Sequence, residues 1–288
     1  MGVGEHIPAE SMDLVIAAPP QEGAAAFESE EAWQMWSEAW LLHANRVLRR
    51  GGSCYLMGPF ELLSELLPIA QGVGLRLRQQ IVVDKSGSNI AARSDTGRRM
   101  FPGAADNLLL FYRDQMPFVR GLLKAQQTVL GLTGRTINEA MGVGSKGGGM
   151  WSNYTSRNGQ MPTREHWERL QEVLDFYYPY ERLSPVFQPP GKLTNVWRDL
   201  DFSNAKLGGS GRPIELLERL ILTSSREGDA VLDPFAGDGD TGLAALRTGR
   251  FFYGFEPDEE RFRALEKRLE DYVQFYQFDQ LGLDGAGK

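Results

Sequence analysis

The chain is short of the residues from which disulfide frameworks and metal centres are built. Its 288 residues include one cysteine, Cys54, and three histidines, His6, His43 and His166. A lone cysteine closes no intrachain disulfide, and Cys54 sits in an apolar run that reads as a buried strand, so a thiol role is not expected. The histidines are scattered, without cysteine or carboxylate neighbours at ligand spacing, and no metal site is expected. No run of 18 apolar residues exists and no signal-peptide pattern is present, so the expectation is a soluble, cytoplasmic chain with no membrane partner. Positive charge is also in deficit. With 31 Lys and Arg against 38 Asp and Glu, the net charge of −7 argues mildly against phosphate binding by the chain as a whole. No internal repeats appear.

What is present is apolar material, 42% of the residues, enough for one doubly wound α/β core. Near the C-terminus, Ala230-Val231-Leu232-Asp233-Pro234-Phe235-Ala236-Gly237-Asp238-Gly239-Asp240-Thr241-Gly242 reads as a strand entering a glycine-rich turn and then a helix over 242–247. Gly237 and Gly239 let backbone approach a ligand where a Cβ would obstruct it, and the helix start offers unpaired N–H groups. A second strand, Phe251 to Phe255, ends at Glu256, an acidic residue placed to take both hydroxyls of a ribose. By spacing alone the three glycines also suit a dinucleotide.

The flanking residues narrow this. Asp233-Pro234-Phe235-Ala236-Gly237-Asp238-Gly239 with Thr241 resembles the Asp-Pro-Phe-x-Gly-x-Gly-Thr signature of S-adenosylmethionine-dependent DNA amino-methyltransferases, which modify adenine N6 or cytosine N4. Upstream, Gly211-Arg212-Pro213-Ile214-Glu215-Leu216-Leu217 resembles the family's Lys-Pro-x-Glu-Leu helix, with arginine in place of lysine. The order of the two segments is that of the circularly permuted members, in which the catalytic half comes first. The resemblance implies S-adenosylmethionine as cofactor, held by Arg212, Pro213, Asp233, Pro234, Phe235, Gly237, Gly239, Thr241 and Glu256. It implies double-stranded DNA as the partner, with a homodimer or a methyltransferase partner subunit as further possibilities, and a role in restriction-modification.

The catalytic half begins at Met12-Asp13-Leu14-Val15-Ile16-Ala17-Ala18-Pro19-Pro20-Gln21, which resembles the family's Asp-Leu-Ile-x-x-(Asp/Asn/Ser)-Pro-Pro-(Tyr/Phe/Trp) strand and loop. The catalytic positions are thus Ala18, Pro19, Pro20 and Gln21, and two of them depart from the pattern: Ala18 replaces the polar residue and Gln21 the aromatic. In the family a flipped base is activated by hydrogen bonds to the polar side chain and the first proline's carbonyl, and stacks on the aromatic. Alanine leaves only the Pro19 carbonyl. Glutamine offers no π face. About eleven residues precede this strand, so the strand and Gly-Asp segment that commonly lie there in the family are expected to be missing or shortened.

Trp33, Trp36 and Trp40 follow at helical spacing and read as core packing. Helix 61–72 leads to a strand at 75–85, whose end resembles the family's Ile-Trp-x-Lys segment with Val83 for tryptophan. In Phe101 to Tyr112, Ala105-Asp106 stands where the family has His-Glu.

Three segments are expected: 1–114 as catalytic half, 115–199 as a helical target-recognition insertion, and 200–288 as cofactor half. The middle one holds ten Lys or Arg against seven Asp or Glu, a positive balance within an acidic chain. A helix over 121–130, a turn and a short helix from Arg135 resemble a repressor-type helix-turn-helix. A glycine-rich loop follows to Asn158, and a closing helix starts near Thr163, a plausible cap. Lys124, Arg135, Asn138, Lys146, Trp151, Tyr154 and Arg157 are the candidate DNA contacts. The expected fold is a Rossmann-like doubly wound sheet with a small helical insertion. The expected function is methyl transfer to a DNA base, impaired by Ala18 and Gln21; a non-catalytic DNA-binding or partner subunit that keeps the fold is the alternative, and a methyltransferase for another substrate also remains open.

Overall fold

The computed structural model describes residues 6–20, 27–85, 104–143, 149–202 and 212–280. Two compact units emerge, one of residues 1–113 and 186–288 and one of Asp114–Pro185.

The first unit is built on a seven-stranded sheet. In chain order its strands are β1 (Met12–Ala17), β2 (Leu48–Gly58), β3 (Leu75–Asp84), β4 (Ala105–Arg113), β5 (Val196–Trp197), β6 (Ala230–Asp233) and β7 (Phe251–Gly254). They lie in the order β5-β3-β4-β2-β1-β6-β7. Among the described strands only β4 runs antiparallel to its neighbours, and β1 is parallel to both β2 and β6. The chain winds outward from β1 through α1 (Glu30–Val47) to β2, and outward the other way from β6 through α8 (Asp240–Arg247) to β7. The β1–β6 boundary is therefore the point where the winding reverses, and in open α/β sheets ligands bind beyond the strand ends at that point.

Successive side chains of a strand face opposite ways, and β1 uses both faces. Val15 and Ala17 pack with Trp33, Trp40 and Leu41 of α1 and with Leu62, Leu63 and Leu66 of α2 (Phe60–Gly72). Leu14 and Ile16 pack instead with Leu216, Leu217, Leu220 and Ile221 of α7 (Ile214–Ser224) and with Ala244 and Ala245 of α8. Such a two-sided strand must read as continuously apolar, and 14–18 does. The N-terminus of α1 is capped by Ser29, whose hydroxyl accepts from Ala32 N–H, with Glu30 and Glu31 in the first turn, where the helix dipole favours negative charge. Cys54 is fully buried in β2, and burial pushes its thiol up to about 12, where it is neither nucleophile nor redox sensor.

The second unit carries α3 (Met116–Val129), α4 (Gly134–Ala140), α5 (Gly149–Thr155) and α6 (Arg164–Leu174) around Val119, Leu123, Ile137, Trp151, Trp167 and Leu174. Helix α3 starts earlier than its apolar pattern indicates, because the Asp114 carboxylate accepts from Met116 N–H and proline occupies the first turn. Thr163 caps α6, accepting from His166 N–H. The unit ends at Pro185, earlier than the expected 199. Residues 186–199 lie with the sheet unit, because Val196 and Trp197 pair with Val82 and Val83 of β3. Helix α9 (Glu259–Gln280) follows β7.

One buried ion pair ties three strands. Arg49 of β2 lies 2.6 Å from Asp13 Oδ1, and Asp13 Oδ2 accepts from Ala230 N–H of β6 at 2.9 Å. The Arg49 side chain is 4% exposed and also donates to the Arg50 carbonyl at 3.0 Å, so removing Asp13 takes away its paired carboxylate at a site with little water to replace it. Asp13→Ala is expected to lower the unfolding free energy by about 3–5 kcal/mol, read from a urea titration; an unchanged midpoint would show that the pair does not hold the strands.

Candidate active site

The ends of β1 and β6 lie side by side, so the loops leaving them meet. At the end of β6, Asp233 is buried and its carboxylate accepts from the Thr241 hydroxyl at 2.6 Å and from Phe235 N–H at 2.9 Å. Burial pushes this carboxyl up to about 6, against the opposing pull of those two hydrogen bonds. The pair of bonds also folds the turn, since Phe235 and Thr241 are drawn to one side chain. Gly239, at φ +82°, is the N-cap of α8, and a Cβ there would crowd Leu265 at 3.0 Å. Gly242 differs in purpose: a Cβ there would strike Phe252 and Leu269 at 2.8–2.9 Å, so it serves helix packing.

Helix α9 clamps this turn from outside. Arg268 donates to the Asp238 carbonyl at 2.6 Å and to Asp240 Oδ1 at 2.8 Å, and Arg261 lies 3.6 Å from the Asp238 carboxylate. Asp240 is buried, and its Oδ2 has no hydrogen-bond partner among the described residues.

A cavity of about 390 Å³ opens over the turn. Ala18, Pro19 and Pro20 of the β1 loop line it together with Arg212, Asp233, Phe235, Gly237 and Thr241. A second cavity, about 490 Å³, adjoins it, lined by Pro234 and Glu256 as well as by aromatic side chains. Pro20 and Phe235 line both cavities. Pro213 and Gly239 border neither: they are N-caps, of α7 and α8. Glu256 is half-buried, and its Oε1 accepts from Asp258 N–H at 3.0 Å. Arg212 is buried and lies 3.4 Å from Asp106, which also receives Lys85 at 2.7 Å. Asp106, in the place of the family's glutamate, thus orients an arginine of the cavity wall. Gln21 lies outside the described residues.

Sequence reading missed Asp240, Met57, Leu217 and Arg261, which also line the first cavity. For the arginines a signal exists: Arg261 and Arg268 stand seven apart, two helical turns, and so share a face of α9.

The second unit corrects the expected glycine-rich loop. Its later part, Gly149–Thr155, is helix α5, and Trp151 and Tyr154 turn inward to the core. Tyr154 hydroxyl lies 2.7 Å from His166 Nδ1. Asn138 is buried as well, and its Oδ1 accepts from Trp151 N–H at 3.0 Å, satisfying the start of α5. A side chain committed to a buried helix end, and two aromatics filling a core, are not presented to a groove. Lys124, Arg135 and Arg157 are exposed, with Arg135 paired to Glu139 at 2.9 Å. Lys146 lies outside the described residues.

Among the described residues no cluster of three His, Cys, Asp or Glu is placed to hold a metal ion, and no helix is long and apolar enough to cross a membrane.

Comparison with known proteins agrees with this geometry. The N6/N4 methyltransferase family, described as DNA methylase, matches residues 12–267. The chain is 26% identical over 284 residues to DNA adenine methyltransferase YhdJ of Escherichia coli K12, covering 96% of this chain and 82% of that one. It is 51% identical over 98 residues to the type II methyltransferase M2.DpnII of Streptococcus pneumoniae, a match spanning 33% of this chain and 36% of that one. The solved complex of M1.HpyAVI with S-adenosylmethionine superposes with a TM-score of 0.53 at 15% identity, covering 92% of this chain and 90% of that one, and so shares its fold. Matched along most of its length, the chain belongs to the N6/N4 family of DNA methylases.

Proposed function

We propose that the chain transfers a methyl group from S-adenosylmethionine to the exocyclic amino group of a DNA base, adenine N6 ahead of cytosine N4, at a rate reduced by Ala18 and Gln21. The observation that carries this reading is that one cavity is lined by Ala18, Pro19 and Pro20 of the first loop together with Asp233, Gly237 and Thr241 of the turn. The similarity to the adenine methyltransferase YhdJ along 96% of the chain supports adenine.

The residues suit the cofactor. Gly237, at φ +51°, lines the first cavity without a side chain, Asp233 and the unpartnered Oδ2 of Asp240 are acceptors for an ammonium group, and Glu256 is an acceptor for ribose hydroxyls. When bound, the cofactor supplies an electrophilic methyl group carried on a sulfonium sulfur. Pro20 and Phe235, shared by the two cavities, are the protein groups at the junction of its two ends.

On the substrate side the Pro19 carbonyl accepts a hydrogen bond from the amino group, raising electron density on nitrogen. Nothing at position 18 accepts a second one. A missing charge-assisted bond and a missing stacking face are worth roughly 1.5–3 and 1–3 kcal/mol respectively, a rate loss on the order of 10²–10⁴. The same two residues favour a second reading, a DNA-binding or partner subunit, in a homodimer or with an active methyltransferase, that keeps the fold without turnover. In the second unit Lys124, Lys146 and Arg157 are assigned to phosphates and Arg135 to a base edge, whereas Asn138, Trp151 and Tyr154 act through packing.

Three outcomes are expected. Labelled methyl transfer to duplex DNA is slow in the chain as it stands, and Ala18→Asp with Gln21→Tyr raises it at least tenfold; mass spectrometry then identifies N6-methyladenine. Rapid turnover of the unaltered chain would overturn the role given to position 18, and silence of the restored one would leave the partner-subunit reading.

Asp233 must be ionised to attract a cationic ligand, and its carboxyl titrates near 6, so cofactor affinity is expected to rise several-fold between pH 5.5 and pH 8. Asp233→Asn flattens that dependence; a pH-independent affinity in the unaltered chain would remove Asp233 from the ammonium site.

For DNA, anisotropy titrations should show Arg135→Ala losing roughly 1–3 kcal/mol of sequence preference. Lys124→Ala should reduce the salt slope by about 0.9, and Asn138→Ala should lower thermal stability instead. Unchanged binding in the first two would leave the unit a packing element.

A further inference from the structure

We infer that one face of α1, carrying Trp36, Trp40 and His43, is the receptor for the purine ring of the cofactor, a reading that rests on the assignment of S-adenosylmethionine to this site. The second cavity is where the argument starts. Glu256 lines it, and so do Trp36, Trp40, Phe255 and His43. A carboxylate that takes the ribose hydroxyls places the attached base within the length of one nucleoside, and the surrounding walls there are aromatic.

The rings are held in place by each other. Phe235 meets Trp40 edge to face, with centroids 5.0 Å apart at 84°, and lies 5.6 Å from Trp36. Trp36 in turn stacks on Trp33 at 5.4 Å. A flat apolar ring entering this cavity therefore finds preordered faces, which limits the entropy lost on binding. Two residues of the lining also carry buried polar atoms without partners among the described residues. Trp40 is 7% exposed, and its Nε1 has no hydrogen-bond partner among the described residues; the same holds for His43 Nδ1. Buried donors are normally satisfied, and a purine edge presents ring nitrogens that accept and an amino group that donates. Trp33, whose Nε1 also lacks a partner, does not line this cavity and supplies an internal control.

The row of tryptophans thus has two functions along one helix: Trp33 and Trp40 close the core, while Trp36 and Trp40 line the cavity on the side of Glu256. The larger cavity takes the nucleoside and the smaller the amino-acid end, with the sulfur at Pro20 and Phe235 beside the Ala18-Pro19-Pro20 loop.

The test uses the full chain with S-adenosylhomocysteine and adenosine, followed by calorimetry and intrinsic tryptophan fluorescence. S-adenosylhomocysteine should quench the emission of the unaltered chain, and adenosine should compete for the same site. Trp36→Leu should weaken both ligands by roughly tenfold, and Trp40→Phe, which keeps a ring but removes the N–H, by about fivefold with much of the quench lost. Trp33→Phe should bind within twofold of the unaltered chain. If Trp40→Phe and Trp36→Leu, each with unchanged circular dichroism, bind both ligands within twofold and retain the quench, the purine lies elsewhere while the cofactor assignment stands. If the unaltered chain binds no S-adenosylhomocysteine by calorimetry, the cofactor assignment falls and this one with it.

Discussion

Everything at the candidate site depends on the pairing of β1 with β6. Leu14 sits beside Val231 and Val15 beside Leu232, residues separated by more than two thirds of the chain. Because pleated side chains alternate, a slip of one position would turn the apolar set of β1 toward the wrong helices and carry the Ala18-Pro19-Pro20 loop away from the glycine turn. The Asp13 carboxylate guards that register, since it accepts from Ala230 N–H while paired to Arg49 of β2. In this permuted chain β1 must therefore find a partner that is made much later. Contacts of such separation are slow to form, and the more local pairs β6–β7 and β3–β4 are the ones available to assemble first.

Charge is divided between the units in a way that the total conceals. The cavities draw on Asp233, Asp238, Asp240 and Glu256, while the cations among them are engaged: Arg212 with Asp106, Arg261 with Asp238. A carboxyl as buried as Asp233 resists ionisation, and a cationic ligand is what would relieve it. The helical unit as observed, Asp114–Pro185, is nearly balanced, with eight Lys or Arg against seven Asp or Glu, since Lys192 and Arg198 lie with the sheet unit.

The contrast between the two loops is chemical. Beyond β6 the turn retains its glycine with positive φ, its hydroxyl-to-carboxylate bond and its acidic acceptors. Beyond β1 the backbone geometry is set by Pro19 and Pro20, but the side chain at 18 is a methyl group packed against the core. Cavity and cofactor cradle are properties of the backbone and survive such a change, whereas activation of a weak nucleophile requires a particular oxygen atom.

Much of this was legible locally. The apolar run 230–233, the glycines, the helix after them and Glu256 follow from backbone preference and spacing, and the winding of strands and helices followed from their order. The Thr163 cap is a local hydrogen bond of the same kind. Other features were not legible, for identifiable reasons. Helices α4 and α5 are seven residues each, too short for periodicity to distinguish an inward face from an outward one, so Asn138, Trp151 and Tyr154 read as surface when they are core. Residues 186–199 carry one two-residue strand, and only its pairing with β3 assigns them to the sheet. Sequence by itself thus determined the class of fold, the cofactor turn and the two altered positions of the catalytic loop, because these rest on neighbours along the chain. Tertiary structure alone decided that Arg261 and Arg268 clamp the turn, that Asp240 is buried with an unsatisfied oxygen, and that Trp36 and Trp40 meet Phe235 beside Glu256. Those contacts join elements far apart in sequence, and packing across the sheet, which no local preference encodes, is what brings them together.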